Sequence, residues 1–138
     1  MKDIIFTVPG VPQGKGRPRV TRNGTFTPKK TRDYEKKVRE CYIEAGGHMF
    51  PDDAPLYADI TAVFPIPSSL SKKRRALFNG RSHCKKPDAD NVAKAILDAL
   101  NCVAYRDDSA VSHISMTKIY GEDPHVRVFL LEEEETAP

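Results

Sequence analysis

One segment of this chain, residues 86–111, constrains the protein more than any other. It contains a single lysine within a helical pattern of apolar residues, Lys94, together with five aspartates: Asp88, Asp90, Asp98, Asp107 and Asp108. Carboxylates gathered this closely repel one another unless a positive charge lies among them. A hard divalent cation bound by carboxylate oxygens is therefore the predicted occupant of a site built from this segment.

Residues 91–100 show the clearest helical pattern in the chain. Apolar residues recur there at the spacing of one helix face: Val92, Ala93, Ile96, Leu97 and Leu100. The opposite face is polar and carries Asp90, Asn91, Lys94, Asp98 and Asn101. Acids at a helix N-terminus also complement the helix dipole, and an Asp–Lys pair four residues apart is a common surface pair. The adjacent acids Asp107 and Asp108, beyond the helix, favour the metal site over that simpler explanation.

The spacing of the acids sets a geometric condition on the site. Asp88 and Asp90 are two apart, so in an extended segment their side chains point the same way. For Asp107 and Asp108 to reach the same ion, the intervening chain must run back beside the helix, or a partner subunit must supply them. Six or seven extended residues span about 20 Å, which is enough. We expect the route within one subunit, because the apolar stretch 103–105 suits packing on the helix.

The remaining segments alternate between strand and helix patterns. Strands are predicted at residues 4–8, 56–64, 111–120 and 126–131, helices at 31–45 and 69–78, and a hairpin at 19–27 around Asn23-Gly24. This order predicts an α+β fold, a single compact domain over residues 1–131 with a mixed β-sheet covered by helices. Residues 132–138 form an acidic tail that is predicted to be disordered.

Composition limits the class of protein further. A chain of 138 residues has room for one core. No apolar run approaches the roughly 18 residues needed to span a bilayer, and the N-terminus lacks the apolar stretch of a signal peptide. Three widely spaced cysteines fit a reducing compartment. We therefore expect a cytoplasmic protein without a membrane partner.

The charge distribution indicates a polyanionic partner. The net charge is only +3, but residues 1–50 hold eleven Lys/Arg against five Asp/Glu, and residues 72–86 hold seven and none. Two basic regions flanking an acidic centre favour nucleic-acid binding over a merely solvated surface. The predicted DNA contacts are Lys15, Arg17, Arg19, Lys72, Lys73, Arg74, Arg75, Lys85 and Lys86. The four histidines show no chelating spacing, so zinc is not expected.

The stretch PDADNVAKAILDALNCVAYRDDSAV, residues 87–111, resembles the signature of the RusA family of Holliday-junction resolvases. That signature is Asp-x-Asp-Asn, a lysine three residues on, Asp-Ala-Leu, and an Asp-Asp pair before a strand. The N-terminal VPQGKGRPRV is similar to the form seen in many phage and prophage members. The resemblance implies a homodimeric, Mg²⁺-dependent endonuclease of a bacterial or phage-infected cell that nicks four-way junction DNA in paired fashion.

The same resemblance implies roles for individual residues. Asp88, Asp90 and Asp108 would be the catalytic metal ligands, Asp107 would assist, and Lys94 would be the essential lysine. They would hold one or two Mg²⁺ ions per site, with Mn²⁺ as an alternative ion. Two other functions stay open: a nuclease for flaps or replication forks, and a non-catalytic DNA-binding protein. An acid face turned toward a polyanion argues against the second.

Overall fold

The alternating and helical patterns of the sequence give nine strands and α-helices in the computed structural model, which describes residues 3–16 and 19–133. In chain order these are β1 (Asp3–Pro9), β2 (Arg19–Thr21), β3 (Gly24–Phe26), α1 (Lys29–Glu44), β4 (Leu56–Pro65), α2 (Lys72–Phe78), α3 (Ala89–Ala99), β5 (Val111–Gly121) and β6 (His125–Glu132). All the predicted strands, helices and the hairpin are present. Their boundaries shift by at most three residues, as expected where helix and strand ends depend on local capping.

Four strands form one mixed sheet in the order β1-β6-β4-β5. The pairs β1–β6 and β4–β6 are antiparallel, whereas β4 and β5 are parallel. Strands β2 and β3 form a separate two-stranded hairpin. The predicted α+β domain with a mixed sheet is therefore confirmed. The parallel pair follows from the long connection through α2 and α3, which returns the chain to the same end of the sheet.

Two helices cover one face of this sheet. The helix α1 buries Tyr34, Val38 and Tyr42, and α3 buries an apolar stripe that includes Val92 and Ile96. The two helices touch each other, and they pack on the strands β1 and β5 respectively. Burial of these apolar helix faces against the sheet is the main source of stability for a two-layer domain of this size. It also fixes the polar face of α3 at the surface.

The last strand of the sheet extends one residue into the segment that was predicted to be an acidic tail. The strand β6 continues to Glu132, and the backbone N–H of Glu133 donates to the carbonyl of Pro55 at 2.9 Å. Glu132 thus belongs to the sheet and not to the predicted tail. Residues 134–138 of that tail lie outside the described residues. Cys41, Cys84 and Cys102 are all free thiols.

Within residues 3–16 and 19–133, no helix combines the length and the apolar character that crossing a membrane requires.

Candidate active site

The start of α3 forms one wall of an open cleft. Asp88 is the N-cap of the helix, Asp90 lies in its first turn, and both side chains are exposed. The cleft has a volume of about 580 Å³ and is lined by Gly14, Lys15, Lys86, Pro87, Asp88, Asp90 and Asn91. Two of the predicted metal ligands and two of the predicted DNA contacts therefore share one cavity.

The opposite wall is the loop of residues 10–16, and Asn91 ties it to the helix. The backbone N–H of Lys15 donates to the carbonyl of Asn91 at 3.1 Å, and the side-chain amide of Asn91 donates to the carbonyl of Lys15 at 3.1 Å. Gly14 lies directly against this pair: a Cβ there would be 2.6 Å from Asn91 Nδ2 and 2.9 Å from Pro87 Cβ. The close approach of loop and helix therefore requires glycine at this position.

The side chain of Lys15 holds two acids together rather than projecting into solvent. Its Nζ lies 2.6 Å from Glu35 Oε1 and 3.2 Å from Asp98 Oδ2, and all three side chains are mostly buried. Burial by itself lowers the pKa of Lys15, but the hydrogen bonds and charges of the two acids outweigh it, so its pKa is raised. The sequence predicts Lys15 as a phosphate contact; in the structure its ammonium group already has two carboxylate partners.

The second acid pair follows the end of α3. The chain reverses at Cys102, which has φ +68°, and the hydroxyl of Tyr105 donates to the carbonyl of Leu97. Ala104 and Tyr105 are buried, so the predicted packing of this segment on the helix is confirmed. This route brings Asp108 beside Asp98. Burial, the hydrogen bond to Asp98 and the charge of Asp107 together raise the pKa of Asp108.

The two acid pairs lie at different ends of α3. Asp90 and Asp98 are eight residues apart, which corresponds to about 12 Å along a helix at 1.5 Å per residue. Among the residues that the structure describes, no three His, Cys, Asp or Glu side chains converge on a point that could hold a metal ion. The four acids expected to meet within one subunit therefore do not form a single group. Lys94 is exposed and lies between the two ends.

The predicted DNA-binding residues divide into two kinds. Lys72, Lys73, Arg74, Lys85 and Lys86 are exposed. Arg75 instead donates from Nη1 to the carbonyls of Pro67 at 3.0 Å and Ile66 at 3.4 Å, so it anchors α2. Arg17 lies outside the described residues. Arg19 begins β2, but its side chain is not among those described.

Two residues at the site were not identified from the sequence. Lys118 donates from Nζ to the carbonyls of Lys85 at 2.6 Å and Pro87 at 2.7 Å, and so holds the segment that leads into Asp88. The sequence did contain a signal for Lys118. It is a charged residue within a predicted strand, on the same side of that strand as Met116 and Tyr120. Glu35 gave no such signal, since its partner Lys15 is 20 residues away.

Comparison with known proteins identifies the class to which this fold and cleft belong. Residues 9–130 match the family model described as Endodeoxyribonuclease RusA. The chain therefore belongs to the RusA family of endodeoxyribonucleases, and the resemblance noted in the sequence is confirmed. A relative from Bacillus subtilis (strain 168), "Uncharacterized protein YqaN", is 36% identical over 143 residues, which covers 96% of this chain and 98% of the relative.

Proposed function

We propose that this chain is a Mg²⁺-dependent endonuclease that resolves four-way DNA junctions by paired, symmetric nicks. The observation that carries the proposal is the cleft at the start of α3, where Asp88 and Asp90 share an open cavity with Lys86. Membership of the RusA family supports the choice of DNA as the substrate and of nicking as the reaction.

The donor set at this cleft fits a hard divalent cation. Asp88 and Asp90 are exposed, and neither belongs to any ion pair formed among the described residues. Their oxygens are thus free to coordinate, and carboxylate oxygen is the ligand type that Mg²⁺ prefers. Asp108 is the third proposed ligand, because like Asp88 and Asp90 it belongs to no ion pair formed among the described residues. Burial, the hydrogen bond to Asp98 and the charges of the neighbouring acids raise its pKa. When bound, Mg²⁺ supplies a Lewis acid and a water of lowered pKa.

The protein's own side chains have separate tasks in this mechanism. Asp88 and Asp90 would hold the metal at the cleft. Asp108 lies at the other end of α3 within one subunit, so it would join them as a third ligand from the partner subunit, and Asp107 would assist through the turn that it caps. Lys94 stabilises the negative charge that develops on the scissile phosphate. The exposed basic residues Lys72, Lys73, Arg74 and Lys85 bind backbone phosphates, which positions the DNA without reading its sequence. On the sequence alone, Arg17 and Arg19 are proposed as further phosphate contacts.

The substrate favours a homodimer. A four-way junction has approximate two-fold symmetry, and clean resolution needs two symmetric cuts. A two-fold dimer with one site per subunit meets that need. One cut in each of two opposing strands then separates the junction into two nicked duplexes.

The test is cleavage of a mobile synthetic four-way junction with and without Mg²⁺. We expect paired nicks that need the metal and that exceed cleavage of flap, fork and linear duplex substrates. Preferential cleavage of flaps or forks would favour the alternative branched-DNA nuclease. Tight junction binding without any cleavage, in Mg²⁺ or Mn²⁺, would favour a non-catalytic DNA-binding protein.

A further inference from the structure

We propose that a groove beside the cleft binds an unpaired stretch of the DNA strand that is being cut. One wall of the groove is the loop of residues 10–16, and the other is the first two turns of α1. The binding of single-stranded DNA follows from the shape and charge of the groove. Its assignment to the strand being cut rests on the proposed function.

The groove is continuous with the cleft at the start of α3. Its first part is a cavity of about 360 Å³ that shares Gly14 and Pro87 with the cleft. Its second part is a cavity of about 590 Å³ that shares Val11 and Lys30 with the first. A DNA strand that leaves the cleft can therefore follow one surface depression as far as α1.

Hydrogen bonds hold the loop wall of the groove at both of its ends. The backbone N–H of Gly10 donates to the carbonyl of Pro124 at 3.0 Å. The backbone N–H of Gly16 donates to Thr31 Oγ1, also at 3.0 Å, and so ties the loop to α1. The groove is thus already formed without a ligand, which lowers the entropy cost of binding.

The part of the groove that lies along α1 is basic. It is lined by three lysines, Lys29, Lys30 and Lys37, and by one acid among the described residues, Asp33. None of these lysines belongs to an ion pair formed within the described part of the chain, although Lys37 donates from Nζ to the carbonyl of Pro9. Backbone phosphates of DNA complement this positive charge.

The middle of the groove has the opposite character. The cavity of about 360 Å³ is lined mainly by apolar and small residues, which include Val11, Pro12, Pro28 and Pro87. A phosphate gains nothing from such walls, whereas a nucleobase and its deoxyribose gain from the burial of apolar surface. Bases of a duplex are stacked and paired, so only an unpaired nucleotide reaches this cavity.

This order of charged and apolar parts matches a short single strand. With the scissile phosphate at Asp88 and Asp90, the next nucleotide occupies the apolar cavity, and the phosphates beyond it meet Lys29 and Lys30. Proteins that bind single-stranded DNA combine a basic groove with apolar faces for the bases in the same way. A strand that opens at a branch point is therefore favoured over a strand of continuous duplex.

Binding to the groove can be measured without cleavage, by fluorescence anisotropy in EDTA. The probes are a short labelled strand of thymidines and a strand of the same length with abasic sites. We expect the thymidine strand to bind about tenfold more tightly, since contact with one base contributes about 1–3 kcal/mol. Equal Kd values for the two strands would overturn the nucleotide site.

The basic part of the groove is tested by a pair of double variants on α1. Lys29→Ala with Lys30→Ala should weaken binding of the thymidine strand and reduce the slope of log K against log salt by about 0.7 for each phosphate that is no longer neutralised. Arg32→Ala with Lys36→Ala is the matched control, because it removes the same charge from the same helix at residues that line neither cavity. Equal weakening by both double variants would rule out the groove as the site.

The apolar part is tested by Val11→Asp, which adds a carboxylate to the middle of the groove. The variant should lose the preference for the thymidine strand over the abasic strand. Met49→Asp is the control, because Met49 is 49% exposed and Val11 is 50% exposed, and it should keep the preference. Thermal unfolding checks that both variants are folded. A preference that persisted in folded Val11→Asp would contradict the proposal.

Two outcomes separate this inference from the proposed function. If the unmodified protein cuts no junction but prefers the thymidine strand, the groove stands as a single-stranded DNA site and the proposed function is refuted. If it cuts junctions but binds thymidine and abasic strands equally, the groove is refuted and the proposed function stands.

Discussion

The side-chain amide of Asn91 donates to the backbone carbonyl of Lys15, while the carbonyl of Asn91 accepts from the backbone N–H of Lys15. This reciprocal pair joins residues 76 positions apart in the chain. It places the basic N-terminal loop against the helix that carries Asp88 and Asp90. The walls of the cleft are therefore held at a set distance by one asparagine.

Asn91→Asp should loosen the loop and lower the cleavage rate. The substitution keeps the shape of the side chain but replaces the donor with an acceptor facing another acceptor, a loss of about 1–3 kcal/mol in a part-buried setting. Gly14→Ala should have the same effect by displacing the amide, and the effect of the double variant should be clearly smaller than the sum of the two single effects. Hydrogen exchange of residues 10–16 and cleavage rates measure both. Asn79→Asp, at the exposed end of α2, is the matched control. If it lowered the cleavage rate as much as Asn91→Asp does, the proposed role of Asn91 would be contradicted.

Lys15→Met should destabilise the fold, because it leaves Glu35 and Asp98 mostly buried without their cation. We expect a loss of about 1–3 kcal/mol in the free energy of unfolding, from urea denaturation at pH 7. Lys36→Met is the control: its ammonium lies 3.9 Å from Glu40 Oε1, but the side chains are 72% and 59% exposed. Such a surface pair contributes at most about 1 kcal/mol.

The loss of unfolding free energy caused by Lys15→Met should change with pH in one direction. Since folding raises the pKa of Lys15, its contribution is fully present below the usual value of 10.5 and is lost as the pH rises through the folded value. The stability gap between the unmodified protein and Lys15→Met should therefore narrow only in strongly alkaline solution. A gap that already narrowed between pH 6 and 8 would contradict the assignment.

Asp90→Asn should abolish nicking and leave junction binding intact or slightly tighter. The variant lacks a metal ligand, but it also lacks a negative charge that repels phosphate. Asp88→Asn and Asp108→Asn should likewise abolish nicking and retain junction binding, and Asp107→Asn should reduce nicking less. Binding by gel shift and cleavage in Mg²⁺ are the measurements, with Asp33→Asn on α1 as the control. Retained cleavage by the Asp90 variant would remove the catalytic assignment.

Substitutions in α2 should separate binding from folding. Lys72→Ala with Lys73→Ala should weaken binding to all DNA shapes and reduce the slope of log K against log salt by about 0.9 for each phosphate that is no longer neutralised. Arg75→Ala should mainly lower the unfolding midpoint, because that side chain caps the carbonyls of Ile66 and Pro67. An unchanged salt slope in the double variant would mean that α2 does not bind DNA.

The N-terminal arginines give a similar test at the other basic region. Arg17→Ala with Arg19→Ala should weaken binding to junction and duplex alike and flatten its salt dependence. Normal binding with loss of cleavage would instead place these arginines at the reacting phosphate. The comparison uses the same gel-shift titration at several salt concentrations.

Local sequence patterns were sufficient to predict the helices and strands of the fold. The apolar stripe of α3 and the alternation in β4 and β6 are local periodicities, and Asn23-Gly24 is a local turn signal, so no long-range information was needed. The aspartates around α3 likewise predicted metal chemistry from their residue types and spacing.

The partners of these residues, in contrast, became visible only in the folded chain. Contacts such as Lys15 with Glu35 and Asp98, or Lys118 with Pro87, join segments whose separation in the chain carries no periodic signal. The parallel pairing of β4 with β5, and the separation of Asp108 from Asp90, depend on how α3 packs across the sheet. Burial of the apolar face of α3 determines both the strand pairing and the separation of the acids, because packing against the sheet fixes where each end of the helix lies.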